Sequence, residues 1–138
     1  MSLFAAALVV HVLAAILGVG PVAFMALLGS RAVPAPDLAR ERRDLLGAAS
    51  RWVSVALALM LVSGLLLGAV TGLHETRWYR SSVLLLLVVG ALNGFARNKL
   101  RRADPADPTP SIRFAARVSW WMCALVGVIT LLMTLQPA

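Results

Sequence analysis

Charged residues are scarce in this chain of 138 residues, at 14% of the composition against roughly 25% in an average soluble domain. Four runs contain no Asp, Glu, Lys or Arg, and they cover residues 1–30, 52–74, 81–96 and 118–138. A bilayer needs about 20 apolar residues per spanning helix and penalises each charge placed at its centre. The pattern excludes an ordinary soluble domain and predicts an all-α membrane protein, a bundle of four transmembrane helices.

Cysteine and acidic residues are both scarce in the sequence. The single cysteine, Cys123, excludes an internal disulfide, a thiol relay and a cysteine cage for a metal within one chain. All six Asp and Glu lie outside the four apolar runs. Their absence from the spans weighs against a carboxylate-based proton-coupled exporter and against a carboxylate cage for a hard metal ion.

Basic residues are concentrated in two of the three connections between the runs. Eleven of the thirteen Lys and Arg fall in the first and third connections, which emerge on the same side of the bundle. The positive-inside rule makes this side cytoplasmic and predicts that both termini are outside, an N-out/C-out topology. Such clusters favour a lipid bilayer rather than nucleic acid as the partner. The side chains expected to meet anionic headgroups are Arg40, Arg42, Arg43, Arg101 and Arg102.

No polar stretch is long enough to form a separate soluble domain, so residues 1–138 are expected to form one domain. Its helices are predicted at about 3–28, 51–73, 79–98 and 111–135. A short basic helix capped by Asp37 should lie at the headgroup level before the second span. Pro21, with Gly18 and Gly20, is expected to permit a kink in the first helix. Thr109 fits the N-cap of the fourth helix.

Polar side chains within the spans share faces with small residues, which is typical of the interior face of membrane helices. Asn93 is expected to make a cross-helix hydrogen bond worth about 1 kcal/mol. Arg97 and Arg117 lie within a turn of the cytoplasmic boundary. They could bind a lipid phosphate or a propionate, although snorkelling to the surface is the simpler role.

His11 is the candidate functional residue, because an ionisable side chain inside a membrane indicates function by default. Eight residues from Leu3, it lies about 12 Å below the outer edge of the hydrocarbon. We expect Gly64, Gly68, Gly90 and Gly127 to bracket this level. Two explanations compete. Either the helices touch there with His11 bonded to a carbonyl or a polar side chain, or they leave a flat cavity for a metal-containing cofactor that the imidazole ligates.

A haem in such a cavity would need one or two axial ligands, and His11 has few evident partners. His74 lies about a dozen ångströms further out, at the end of the second helix, where a solvated position next to Glu75 is the simpler interpretation. The other potential ligands are thioethers, which in apolar helices usually serve only packing. These are Met25, Met60, Met122 and Met133. Five-coordinate haem on His11 is the remaining arrangement.

Three short segments resemble bacterial integral-membrane proteins of unknown function that are related to the copper-resistance-protein-D and HemJ-like group. They are LVVHVLAAILGVG at residues 8–20, LVSGLLLG at 61–68 and WYRSSVL at 78–84. In HemJ-like proteins, which are haem-pathway enzymes, a first-helix histidine that His11 resembles is tied to haem. Those proteins use a lysine at the start of the third helix, where this chain has Arg80, Ser81 and Ser82. That departure weakens the case for protoporphyrinogen oxidation.

Three functional hypotheses follow, and the sequence leaves open whether the protein is an enzyme. The first is a bacterial inner-membrane protein that binds b-type haem through His11, in electron transfer or as a redox subunit. The second is a non-enzymatic scaffold that packs a membrane partner, or oligomerises, through its glycine stripes. The third is a small-molecule transporter, which would require an oligomer because four helices enclose little volume.

Overall fold

The structure, a computed structural model, describes residues 2–32 and 35–135. Regular structure in this part of the chain is helical. The helices are α1, Leu3–Ser30; α2, Pro36–Thr71; α3, Arg77–Arg101; and α4, Thr109–Leu135. A short 3-10 turn, Leu73–Glu75, joins α2 to α3. All four helices are long and apolar enough to span a membrane, which confirms the predicted four-helix membrane bundle.

The second helix differs most from its prediction. A separate basic helix before a span at 51–73 was expected, but α2 runs unbroken from Pro36 to Thr71. Pro36 occupies the first turn, where its missing N–H costs nothing, and Ala35 rather than Asp37 is the cap. The basic segment that follows contains no proline and buries Ala39 and Leu46, so the helix continues without a break. At 36 residues it is about 54 Å long and extends beyond the hydrocarbon.

The other helix boundaries lie within three residues of those expected. Pro21 lies inside α1, which continues as a single helix on both sides of it. The fourth helix begins at Thr109 itself, because the N–H of Ile112 already donates to the carbonyl of Pro108. Thr109 is therefore its first residue rather than its cap.

The four helices form a ring in which each packs against two neighbours. α1 contacts α2 and α4, and α3 contacts the same two helices from the opposite corner. We call the end with Ser30, Pro36, Arg101 and Thr109 the basic end, and the end with Leu3, Thr71, Arg77 and Leu135 the terminal end. The basic half comprises residues 18–30, 36–56, 89–101 and 109–123, and the terminal half comprises 3–17, 57–71, 77–88 and 124–135.

The hydrophobic core is densest in the basic half. Fully buried apolar side chains there come from all four helices and meet in one cluster. They include Met25, Leu46, Val53, Val89, Ile112 and Met122. The terminal half contributes Leu86 and Ile129, at 9% and 4% exposure, to the same cluster. The bundle is therefore tightly packed at one end and looser at the end that carries His11.

Candidate functional site

His11 lies on the bundle-facing side of α1, in the terminal half. The buried residues Ala7, Ala14 and Gly18 flank it at three- and four-residue spacing, so the imidazole shares their face of the helix. It is nevertheless only half-buried, because the helices are looser at this end. The sequence placed His11 inside the membrane, and the structure places it against α2.

The δ nitrogen of His11 is held by two acceptors on α2. Nδ1 lies 3.2 Å from the carbonyl oxygen of Met60 and 3.0 Å from Ser63 Oγ. The Ser63 hydroxyl proton is already donated to the carbonyl of Leu59, at 2.6 Å. The carbonyl of Met60 can only accept, and this contact assigns the proton of the neutral ring to Nδ1 and a free lone pair to Nε2.

Gly64 makes room for the imidazole. A Cβ added at this position would lie 3.2 Å from His11 Cε1, closer than an ordinary van der Waals contact. The first of the two explanations for His11 thus holds at Nδ1: the helices touch, and the ring is bonded to a backbone carbonyl. Nothing in the sequence identifies that carbonyl, but Gly64 one helical turn beyond Met60 is the signal that a bulky group approaches.

Tyr79, on α3, packs against the next turn of α2 towards the terminal end, a contact that the sequence did not predict. Its hydroxyl donates to the carbonyl of Gly64 at 3.0 Å, and its ring lies over Gly68, where a Cβ would overlap it. Gly64 and Gly68 of α2 are therefore each covered by a side chain from another helix of this protein. The sequence signal is the four-residue glycine spacing followed by an aromatic residue at the start of the next helix.

His74 is not brought to His11. It lies in the 3-10 turn, and its side chain is 60% exposed. Its Nε2 is 4.0 Å from Glu75 Oε1, in agreement with the predicted solvated position next to Glu75. Its Nδ1 approaches the carbonyl of Gly68 at 3.4 Å. The carbonyls of Met60 and Gly68 are eight residues apart, or about 12 Å along α2, so the two imidazoles lie at different depths.

Gly90 and Gly127 lie elsewhere. Gly90 lines a groove of about 300 Å³ between α2 and α3, and Gly127 lines one of about 580 Å³ between α1 and α4. A Cβ at either position would meet nothing within 4 Å. Of the four glycines expected near the level of His11, Gly64 and Gly68 therefore pack against side chains, whereas Gly90 and Gly127 border two separate grooves.

The four methionines considered as ligands are accounted for by packing or backbone contacts. Met25 and Met122 are fully buried in the core, and Met133 packs against it. Met60 contributes its carbonyl to His11. Within residues 2–32 and 35–135, no group of three or more His, Cys, Asp or Glu comes together as a metal site.

Asn93 makes the cross-helix hydrogen bonds that were predicted. Its Nδ2 donates to the carbonyl of Ser50 at 3.0 Å and to Ser54 Oγ at 2.9 Å, and Ser50 Oγ donates back to Asn93 Oδ1 at 3.0 Å. In contrast, the hydroxyl of Ser82 on α3 is buried and has no hydrogen-bond partner among the described residues. The two halves of the bundle therefore differ in polar satisfaction as well as in packing.

The five arginines expected at lipid headgroups fall into three kinds of position. Arg40 Nε donates to the carbonyl of Pro105 and Arg42 Nη1 to that of Arg31, so these two brace the connections at the basic end. Arg102 ends α3, where its N–H bonds to the carbonyl of Asn98. Arg43 and Arg101 line a cavity between α2 and α3, together with Arg97. Arg117 lines a second cavity, between α1 and α4.

Comparison with protein-family models, with curated proteins and with solved structures finds no match to this chain. Function must therefore be inferred from the geometry of its own side chains.

Proposed function

We propose that this protein binds b-type haem through Nε2 of His11 and serves in electron transfer or as a redox subunit of a membrane complex. The observation that carries the proposal is the anchoring of Nδ1 by Met60 and Ser63. A ligating imidazole commonly donates its other N–H to a carbonyl, which fixes the tautomer, orients the ring and raises the basicity of the ligating nitrogen.

The ligand set of this chain suits haem better than a bare metal ion. A metal ion needs several protein ligands, and the described residues bring no such group together. Haem iron is already held by four porphyrin nitrogens and needs only one proximal histidine from the protein. The carbonyl of Gly68, which His74 approaches, lies about 12 Å further along α2 than the carbonyl of Met60, which holds His11. His11 would therefore be the only histidine ligand from this chain.

Each neighbour of His11 has a distinct task in this proposal. Met60 and Ser63 hold the ring, and Gly64 admits it against α2. Tyr79 packs on the next turn of α2 towards the terminal end. The buried hydroxyl of Ser82 lies on α3 one turn from Tyr79 and has no hydrogen-bond partner among the described residues. Burying such a group costs folding free energy unless a polar group of a ligand bonds to it. When bound, haem supplies one-electron chemistry. The residues named here hold and orient the ligating nitrogen.

The bacterial inner membrane is the location that we propose, with the basic end in the cytoplasm. The support is the concentration of eleven of thirteen basic residues at that end, as the positive-inside rule requires.

An absorption spectrum of the protein, purified in detergent with haem supplied, tests this function. We expect a Soret band that His11→Ala abolishes and His74→Ala leaves in place. Ser63→Ala should weaken haem affinity by about 10-fold or more, because it removes one of two groups that orient the ring. Absence of a Soret band, or an unchanged band in His11→Ala, would refute the proposal.

A further inference from the structure

A basic cavity lies between α2 and α3 at the basic end. It has a volume of about 370 Å³, and we call it the arginine cavity. Its walls come from one helical stripe on each helix. The lining residues are Arg43, Asp44, Gly47, Ala48, Arg51, Arg97, Leu100 and Arg101. Four guanidinium groups from two helices therefore border one space at the level where a spanning helix meets the headgroups.

The charge in this cavity is unbalanced. The single acidic residue in its lining, Asp44, forms a salt bridge with Arg43, whose Nη2 lies 2.8 Å from Asp44 Oδ1. Arg51, Arg97 and Arg101 make no salt bridge to any residue that the structure describes. Three cations gathered without an acid repel one another, and an anion bound between them relieves that repulsion. Guanidinium groups suit phosphate oxygens in particular, because their N–H groups can bond two oxygens at once.

An apolar groove continues from the cavity along the same helix pair. This acyl groove, of about 300 Å³, is lined by Ser54, Leu57, Ala58, Leu61, Leu86, Leu87, Gly90 and Asn93. On α2 the spacing from Arg51 to Ser54 and Ala58 is three and then four residues. On α3 the spacing from Arg97 to Asn93 and Gly90 is four and then three residues, so cavity and groove share one face of the seam.

Two features keep the groove open and apolar. Gly90 has no atom within 4 Å of where its Cβ would be, so the missing side chain leaves usable space. Asn93 and Ser54 line the end of the groove nearest to the cavity, but the amide nitrogen of Asn93 is satisfied by Ser50 and Ser54. These polar groups brace the two helices, and the leucines form most of the remaining wall.

We propose that the α2–α3 seam is a binding site for an anionic phospholipid, with its phosphates in the arginine cavity and an acyl chain in the acyl groove. Charge complementarity selects the headgroup, since three unpaired guanidinium groups favour two phosphate charges over one. The apolar groove selects a lipid over free phosphate, which has nothing to place there. A two-phosphate lipid such as cardiolipin therefore binds best, followed by phosphatidylglycerol, and phosphatidylcholine binds weakly.

Native mass spectrometry of the detergent-purified protein, titrated with each of these three lipids and with inorganic phosphate, tests the site. We expect the double variant Arg51→Gln/Arg97→Gln to lower cardiolipin affinity by about 30-fold. Arg77→Gln/Arg80→Gln removes the same charge at the terminal end and should leave the affinity unchanged. Equal binding of cardiolipin and phosphatidylcholine, or equal losses in both double variants, would overturn the proposal.

The groove has its own matched pair. Gly90→Leu fills the acyl groove and should weaken cardiolipin binding several-fold without affecting Arg51 or Arg97. Gly94→Leu, one turn away, is exposed and outside the groove, and it should bind cardiolipin like the unmodified protein. If Gly90→Leu binds cardiolipin normally and inorganic phosphate displaces the lipid at millimolar concentration, the cavity is a phosphate site and the lipid proposal is wrong.

Discussion

The basic and terminal halves of the bundle are held together in different ways. In the basic half, large apolar side chains are fully buried, and Asn93 joins two helices through three hydrogen bonds. In the terminal half, His11 and Tyr79 each reach the backbone of α2, and the helices are less closely packed. A serine hydroxyl is also buried there with no partner among the residues that the structure describes. The comparison indicates that stability is concentrated at one end and the candidate chemistry at the other.

Such a division has a physical basis. A site that must admit a ligand cannot also be filled to crystal-like density, so its helices need support from elsewhere. The well-packed basic half can supply that support because the same four helices continue through both halves. Substitutions in the basic half should therefore lower stability, whereas those in the terminal half should change binding more than stability.

The largest expected loss of stability is at Gly29, where α1 meets α4. A Cβ there would lie 2.8 Å from the Cβ of Ala116 and 3.3 Å from the carbonyl of Ile112. Gly29→Leu should cost about 3 kcal/mol, because both neighbours belong to the tightly packed half and neither can rotate away. Gly20→Leu is the matched control on the same helix, since a Cβ there meets nothing within 4 Å. Thermal unfolding in detergent measures both, and similar losses in the two variants would contradict the comparison.

The next effect concerns the hydrogen bonds of Asn93. Asn93→Ala should cost about 1–2 kcal/mol, because it removes three hydrogen bonds between α2 and α3 and leaves a small gap. Asn98→Ala, on the exposed surface of the same helix, should cost almost nothing. Equilibrium unfolding in mixed micelles separates the two, and a neutral Asn93→Ala would show that the network does not stabilise the basic half.

Two buried serines sharpen the comparison further. Ser50 and Ser82 are 0% and 1% exposed, but within the described part of the chain the hydroxyl of Ser50 has a hydrogen-bond partner and that of Ser82 has none. Ser50→Ala should cost about 1 kcal/mol, whereas Ser82→Ala should be neutral or stabilising, because it removes a polar atom that nothing satisfies. Midpoints of denaturation for the two variants give the answer. Equal losses would mean that Ser82 is satisfied in the folded protein and that the halves do not differ in this respect.

The smallest effect is expected at Asp107, in the connection before α4. Hydrogen bonds from the Thr109 side chain and backbone N–H, with a contribution from the charge of Arg113, lower the pKa of this carboxyl. A lowered pKa in the folded state stabilises the protein above the unfolded-state pKa, and that stability is lost as the pH falls through the folded-state pKa. Asp107→Asn should therefore flatten slightly the decline in melting temperature between neutral and acidic pH. Asp37→Asn is the control. If both variants change the pH dependence of the melting temperature equally, the effect does not arise from the hydrogen bonds of Asp107 in the connection before α4.

Much of the fold was predictable because membrane spans leave a strong chemical trace. Each charge-free run became one helix, and the buried asparagine had to find a partner on another helix. The length of α2 was not predictable from the same trace, because hydropathy reports where a helix meets lipid and not where its hydrogen bonds stop. Residues 37–50 are polar on one side yet form a helix readily. The helix therefore begins at Pro36, well before the predicted start of the span at residue 51.

The candidate site was predictable in depth but not in direction. Counting residues from the helix ends placed Gly64 near the level of His11, and Gly64 is indeed a neighbour of the imidazole, next to Ser63. The same counting placed Gly127 at this level, although it faces a groove between α1 and α4. Depth follows from the rise per residue, whereas the rotation of each helix about its axis depends on packing against all its neighbours. Partners that are backbone carbonyls leave no residue-specific signal.

The protonation pattern of His11 is the most direct test of the functional site. Nitrogen-15 NMR of histidine-labelled protein in lipid at neutral pH, with His74→Gln leaving a single imidazole, distinguishes a protonated ring nitrogen from one that carries a lone pair. We expect a protonated, pyrrole-type Nδ1 and a pyridine-type Nε2, the form in which Nε2 can ligate iron. A proton on Nε2, or averaging between the two tautomers, would contradict the anchoring of His11 on α2 and with it the proposed haem ligand.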